Sequence, residues 1–472
     1  MPFNSIDFAL FMPVVFIIYW TLGKNVKIQN LFLLAASCFF YAWWNWQYLS
    51  LILIFTIVNY SAGILLMKYE KRKTRKTILT VCCLICLSIL GIFKYYDFFL
   101  TSFIDAFSLL GMKLQANTLN LILPVGISFY TFRTLSYTID VYRGKFTPSK
   151  DVISFFLFVS FFPLALAGPI ERATNLLPQF YRKRTFDNKQ VEEGMKLILW
   201  GLFMKIVVAD RVCLYVDRVY GNATHESGYS LLLATFLYSV QIYCDFAGYS
   251  NMSIGIGKTL GFNFLKNFNR PFFAISVSDF WRRWHISLSS WLRDYIYFSL
   301  GGSRCSKLRN YRNIFVTFLV SGIWHGANWT FIIWGAFHGL FMVIERIFGL
   351  QKLDSKGFVK VFRILITFLI VNLLRVFFRM PSISEALYAL CKIFTDFGNT
   401  NLYLADNTIM LSIVLGVLMI LGKEIFDEFL PNRMKLFDNP KVYVRWTAYI
   451  VIFVFIMLMG VFDGGQFIYF RF

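Results

Sequence analysis

The chain has 472 residues, of which 57% are hydrophobic, 19% aromatic and only 15% charged, and its mean hydropathy is +0.59. Soluble domains carry about 25% charged residues, so this composition excludes a water-soluble globule and calls for a second solvent, the bilayer. The net charge of +21, from 47 Lys and Arg against 26 Asp and Glu, would suggest nucleic acid in a soluble protein. Here no basic stretch carries a nucleic-acid-binding module, and the excess reads as loop residues facing anionic membrane lipids.

Apolar runs long enough to cross a hydrocarbon core of ~30 Å fall near 6–22, 29–46, 48–67, 77–93, 118–139, 152–168, 191–209, 229–247, 313–332, 331–348, 360–379, 408–422 and 443–462. Some are candidates for re-entrant pieces. The expectation is therefore an all-α polytopic membrane protein with about 10–12 transmembrane helices plus interfacial or re-entrant helices. The first run lacks a basic leader and a small-residue cleavage site and reads as a span rather than a signal peptide. No long polar segment, internal repeat or low-complexity tract interrupts the chain, which predicts one membrane domain over 1–472.

Six of the nine residues from Lys68 to Lys76 are basic. Loops of this kind stay cytoplasmic. Counting back three spans places the N-terminus outside, and Lys24 and Lys27 in the first loop agree. The cluster Cys82, Cys83 and Cys86 lies in an apolar run without a histidine or acid to complete a metal site, so buried structural cysteines are expected and no metal.

Between about 245 and 312 the apolar runs give way to charged, aromatic pieces, among them Asp279 to His285 and Trp291 to Asp294. Such segments neither span lipid nor fold alone. They suit an interface or a protein-lined cavity, where polar chemistry is expected.

The chain has four histidines. His225 sits in a polar loop. His325 lies between Gly322 and Gly326, next to Trp324. An imidazole there could take a proton from an alcohol and return one to a leaving thiol, or simply pack against a carbonyl. His338, thirteen residues further on, would stand ~20 Å away along a straight helix and reads as structural or second to the chemistry. His285 follows Arg282, Arg283 and Trp284; it could line the same cavity, orient His325 or touch substrate, and the arginines suit phosphate or carboxylate groups. Asp245 could bind a sugar hydroxyl or simply pair with a nearby arginine. Trp284, Trp324 and Asn328 complete the candidates for substrate contact. No nucleophile motif or phosphate loop is present, which favours direct transfer between two bound substrates over a covalent intermediate.

In order along the chain, LPVGISFYTF (123–132), YTIDVY (137–142), AGPI (167–170), QIYCDFAGYS (241–250), DFWRRWH (279–285) and GIWHG (322–326) resemble the membrane-bound O-acyltransferase (MBOAT) family, in its bacterial AlgI-like branch. Cys244 stands where relatives often have an aromatic residue. The resemblance implies a funnel of transmembrane helices, with a family core near 120–350 and extra spans near 358–465. It implies transfer of acyl groups to envelope polymers: acetyl to alginate or peptidoglycan, D-alanyl to teichoic acid in the related DltB proteins. His325 would be the catalytic histidine, His285 the second active-site residue and His338 a supporting one.

The donor would be acetyl-CoA or an acyl-carrier-protein thioester, with no resident cofactor. The acceptor would be a polysaccharide, reached through a periplasmic acyltransferase partner from the bacterial inner membrane. A transporter or flippase of lipid-linked sugars is the alternative of a different class. Transfer onto a protein or lipid is a third reading.

Overall fold

Backbone in lipid must pair its own N–H and C=O groups, and helices do this for nearly every apolar run. The computed structural model describes residues 1–23, 25–112, 114–353, 355–396, 402–430 and 437–462; Lys24 and residues 463–465 of the expected C-terminal region lie outside the described residues. Among the described residues all regular elements are helical. They divide into two compact units, 1–194 with 256–265, and 195–255 with 266–472.

The first unit holds α1 (Ile6–Thr21), α2 (Val26–Asn45), α3 (Tyr48–Lys68), α4 (Arg72–Leu90), α5 (Tyr96–Ser108), α6 (Ile127–Tyr142), α7 (Val152–Ser160), α8 (Ala173–Tyr181) and most of α9 (Asn188–Leu202). α3 packs against α4 and α6, and α2 against α7. Asn59 on α3 joins three of them: Thr138 donates to its Oδ1 at 2.7 Å, Cys82 approaches the same oxygen at 3.4 Å, and its Nδ2 donates to Cys86 Sγ at 3.3 Å. Polar side chains bridge helices in this way where lipid offers no hydrogen bonds, and the cysteines serve the packing.

The expected run at 118–139 narrows to the 16-residue α6, because Pro124 and a left-handed Gly126 (φ 76°) precede its first turn. A Cβ at Gly126 would strike the carbonyl oxygen of Ala165. Arg133, 1% exposed, then donates to the carbonyls of Phe158, Val159 and Leu164 at 3.0–3.2 Å. These include orphan acceptors at the end of α7.

The second unit contains α10 (Asp210–Tyr220), most of α11 (Gly228–Thr259), α12 (Val277–Arg283), α13 (Ile286–Leu292), α14 (Lys307–His325), α15 (Trp329–Ile347), α16 (Gly357–Arg379), α17 (Ile383–Thr395), α18 (Asn407–Phe429) and α19 (Val442–Met459). α14 and α15 form a close antiparallel pair. Gly322 and Gly335 sit at their contact: a Cβ on Gly322 would run into the Phe331 carbonyl, and one on Gly335 into that of Phe318. Small residues let helix backbones approach closely in this way.

Among the described residues, eight helices are long and apolar enough to cross a membrane, by length and composition. α1 and the stretch 152–164 are apolar but shorter. The protein is a multi-pass membrane protein. Fewer runs qualify than the 10–12 expected because α9 and α14 carry charges and the run at 118–139 is only partly helical.

Candidate active site

The polar piece expected to sit in a cavity folds as two seven-residue helices, α12 and α13. α12 is held at its start. Ser276 accepts from the Asp279 amide at 3.0 Å, and Glu345 of α15 accepts from the amides of Val277 (2.5 Å) and Ser278 (2.9 Å) and from the Ser278 hydroxyl (2.7 Å). A carboxylate on the first amides of a helix satisfies orphan donors and the helix dipole together. Two turns before Glu345 on the same face of α15 stands His338. Its Nδ1 accepts the indole N–H of Trp281 at 3.2 Å. Glu345 and His338 thus fix both ends of α12.

α14 ends at His325, and Gly326 to Asn328 break the chain before α15 begins. His325 and His338 therefore do not lie on one straight helix, and the expected ~20 Å separation does not apply. Both rings meet Trp334, at centroid distances of 5.0 Å for His325 and 4.7 Å for His338. Phe378 of α16 closes another side of His325 at 5.2 Å. A cavity of about 10 Å³, the room of one water, is lined by His325, His338, Trp334, Trp284, Phe378 and Arg375, among others. His325 is 2% exposed.

Arg375 escaped the reading of the sequence, although an arginine inside the apolar run of a span is itself a signal. It is 4% exposed, with its guanidinium 4.7 Å from the centroid of Trp284 and 5.7 Å from that of Phe272. Val371, Arg375 and Phe378 form one stripe of α16 along the cavity.

The other candidates separate. His285 is fully buried and takes a left-handed backbone (φ 43°) between α12 and α13. Its ring meets Phe246 at 4.6 Å and Trp324 at 5.8 Å, so it lies behind Trp324 and not among the residues lining the cavity beside His325. Burial pushes its imidazole down to about 3, which keeps the ring neutral.

Arg282 and Arg283 also diverge. Arg283 is bound to Asp279 at 3.0 Å and Glu428 at 3.1 Å. Arg282 instead lines a separate pocket of about 370 Å³ with Arg293, Arg346, Phe318, Ser321 and Trp281. Since Trp281 also touches His338 and Trp334, its indole stands between this pocket and the small cavity.

Asp245 lies 2.7 Å from Lys205 Nζ, which is also 2.7 Å from Asp210. Lys205 belongs to a π-helical turn, Phe203–Ala209. Asp245 is thus paired, with Lys205 in place of the arginine expected. Asn328 caps α15 through Thr330 at 2.9 Å and donates to the Pro381 carbonyl at 2.8 Å. Trp324 is buried between His285 and His325.

The model of the membrane-bound O-acyltransferase family matches residues 147–373. A probable alginate O-acetylase AlgI from Pseudomonas aeruginosa is 39% identical over 389 residues, covering 82% of this chain and 73% of that one. A peptidoglycan O-acetyltransferase from Helicobacter pylori is 36% identical over 410 residues, 80% of this chain and 77% of that one. A teichoic acid D-alanyltransferase from Bacillus subtilis is 28% identical over 263 residues, 53% of this chain and 67% of that one. These relatives are acyltransferases and lend no support to the transporter alternative. A histidine-lined cavity within a multi-pass helical chain, and likeness to these enzymes over most of its length, lead to one conclusion: the chain belongs to the membrane-bound O-acyltransferase (MBOAT) family and is an O-acyltransferase.

Proposed function

We propose that the protein takes an acetyl group from a thioester donor, acetyl-CoA or an acyl carrier protein, for O-acetylation of a cell-envelope or exported polysaccharide. The observation that carries this is the position of His325, at the broken end of α14, in a cavity shared with His338 and Arg375. The names borne by the relatives, alginate O-acetylase and peptidoglycan O-acetyltransferase, support acetyl as the group and a glycan as the acceptor.

His325 accepts the proton of an attacking hydroxyl while the oxygen bonds to the thioester carbon. The C–S bond then breaks, and the proton passes to the leaving sulfur. The pocket of Arg282, Arg293 and Arg346 suits the phosphates of the donor's carrier arm. Trp281 forms the wall between that pocket and the cavity of His325. His285 acts on His325 through Trp324, as a positioning residue.

The chain then works in a bacterial inner membrane, with the loop Lys68–Lys76 cytoplasmic and the N-terminus outside. It hands its acetyl group to a periplasmic acyltransferase that holds the polymer. The test is the acetyl ester content of total envelope glycan in a His325→Ala strain with verified expression. Loss of one class of acetyl ester is expected; wild-type content would overturn the assignment.

A further inference from the structure

The cavity beside His325 contains more than the base needs. Arg375 adds a guanidinium, 4% exposed, to its lining. Its guanidinium lies on an aromatic wall of Trp284, Phe272 and Phe280, at 4.7, 5.7 and 5.9 Å from the ring centroids. Cation–π contact of this kind steadies a guanidinium held away from water. Arg375 and Phe378 project from the same face of α16, and Phe378 packs on His325. The cation is therefore held on the element that closes the base.

His338 adds a second group. Because Trp281 donates to Nδ1, the neutral ring carries its own proton on Nε2. That nitrogen is buried without a hydrogen-bond partner among the described residues, and His338 lines the same cavity as His325 and Arg375. A buried N–H left unmatched costs about 1–3 kcal/mol, and an oxygen in the cavity, of a ligand or of the one water it has room for, satisfies it.

We infer that Arg375 and the Nε2–H of His338 form the site that receives the carbonyl oxygen of the acyl group during transfer. This rests on the acyl-transfer reading above. When the acceptor oxygen bonds to the thioester carbon, the carbonyl electron pair moves onto its oxygen, and the resulting oxyanion takes hydrogen bonds from Arg375 and His338. The pair returns as the C–S bond breaks, the thiolate leaves, and the proton held by His325 protonates the sulfur. Donors of fixed position in a water-poor site favour this charged stage over the neutral thioester. The assignment makes Arg375, two residues beyond the stretch matched by the family model, a catalytic residue.

The test uses the full chain in membrane vesicles, with acetyl-CoA and with an acetylated acyl carrier protein as separate donors, and free thiol release as the readout. Arg375→Gln should lower turnover by about a hundredfold or more, with the donor KM within about threefold, as for loss of one oxyanion donor. Arg375→Lys should keep part of the rate, and guanidinium added to Arg375→Ala should restore at least about tenfold. His338→Gln, which keeps a donor, should exceed His338→Leu. Wild-type turnover in Arg375→Gln would overturn the inference and leave the acyl-transfer reading standing. A lowered unfolding temperature with no guanidinium rescue would mark Arg375 as a structural cation and overturn it too. Wild-type protein releasing thiol from neither donor would overturn both.

Discussion

Trp281 gives its indole N–H to Nδ1 of His338 over 3.2 Å. This bond ties α12, which carries the basic residues, to α15, which carries a wall of the histidine cavity, and it determines which nitrogen of His338 holds a proton. Trp281→Phe keeps the ring's packing against Phe318 and Trp334 but deletes the donor. Turnover should fall by about tenfold. The unfolding midpoint should change little, since one such bond contributes about 0.5–1.5 kcal/mol. Thiol-release kinetics beside thermal unfolding check it, and unchanged turnover would remove Trp281 from the mechanism.

Lys205 and Asp245 form part of a buried triad with Asp210. Removing one partner of such a group costs about 3–5 kcal/mol, because charge is left buried and uncompensated. Lys205→Met, which strands two carboxylates, should lower the unfolding midpoint more than Asp245→Asn does. Lys205→Met with Asp245→Asn should recover part of the loss. A raised acceptor KM in Asp245→Asn at unchanged stability would instead return Asp245 to substrate binding.

The neighbouring arginines should behave oppositely. Arg282→Ala should raise the donor KM by about tenfold, as expected for loss of a charge-assisted contact to phosphate, and leave protein yield unchanged. Arg283→Ala strips Asp279 and Glu428 of a shared partner and should lower yield and unfolding temperature with little change in donor KM. Steady-state kinetics on both variants, at matched expression, distinguish the two roles.

Glycine positions offer a further contrast. Gly322→Ala places a Cβ into the Phe331 carbonyl, backbone that cannot step aside, whereas a Cβ at Gly422 in α18 meets nothing within 4 Å. Gly322→Ala should strongly reduce folded protein. Gly422→Ala should be tolerated or stabilising by up to about 1 kcal/mol, the difference in helix propensity. Fluorescence-detected size-exclusion profiles of the two variants report the difference.

Composition and hydropathy alone specify a helical membrane chain, because lipid admits no other way to pair the backbone of such long apolar runs. The order of short stretches such as DFWRRWH and GIWHG likewise identifies the family and makes His325 the candidate base, since each is local in the chain. Three relationships were not legible there, all of them between residues far apart in number. His338 comes beside His325 only because the chain breaks at Gly326 and α15 folds back on α14. Asp245 and Arg283, polar and well placed for substrate on paper, are taken up by Lys205 and Glu428. Arg375 reaches the cavity from a span outside the recognisable stretches. A periodic pattern tells which face of a helix avoids lipid, but the partner of a buried charge depends on how helices cross. That is settled by packing and by the cost of leaving a charge unmatched.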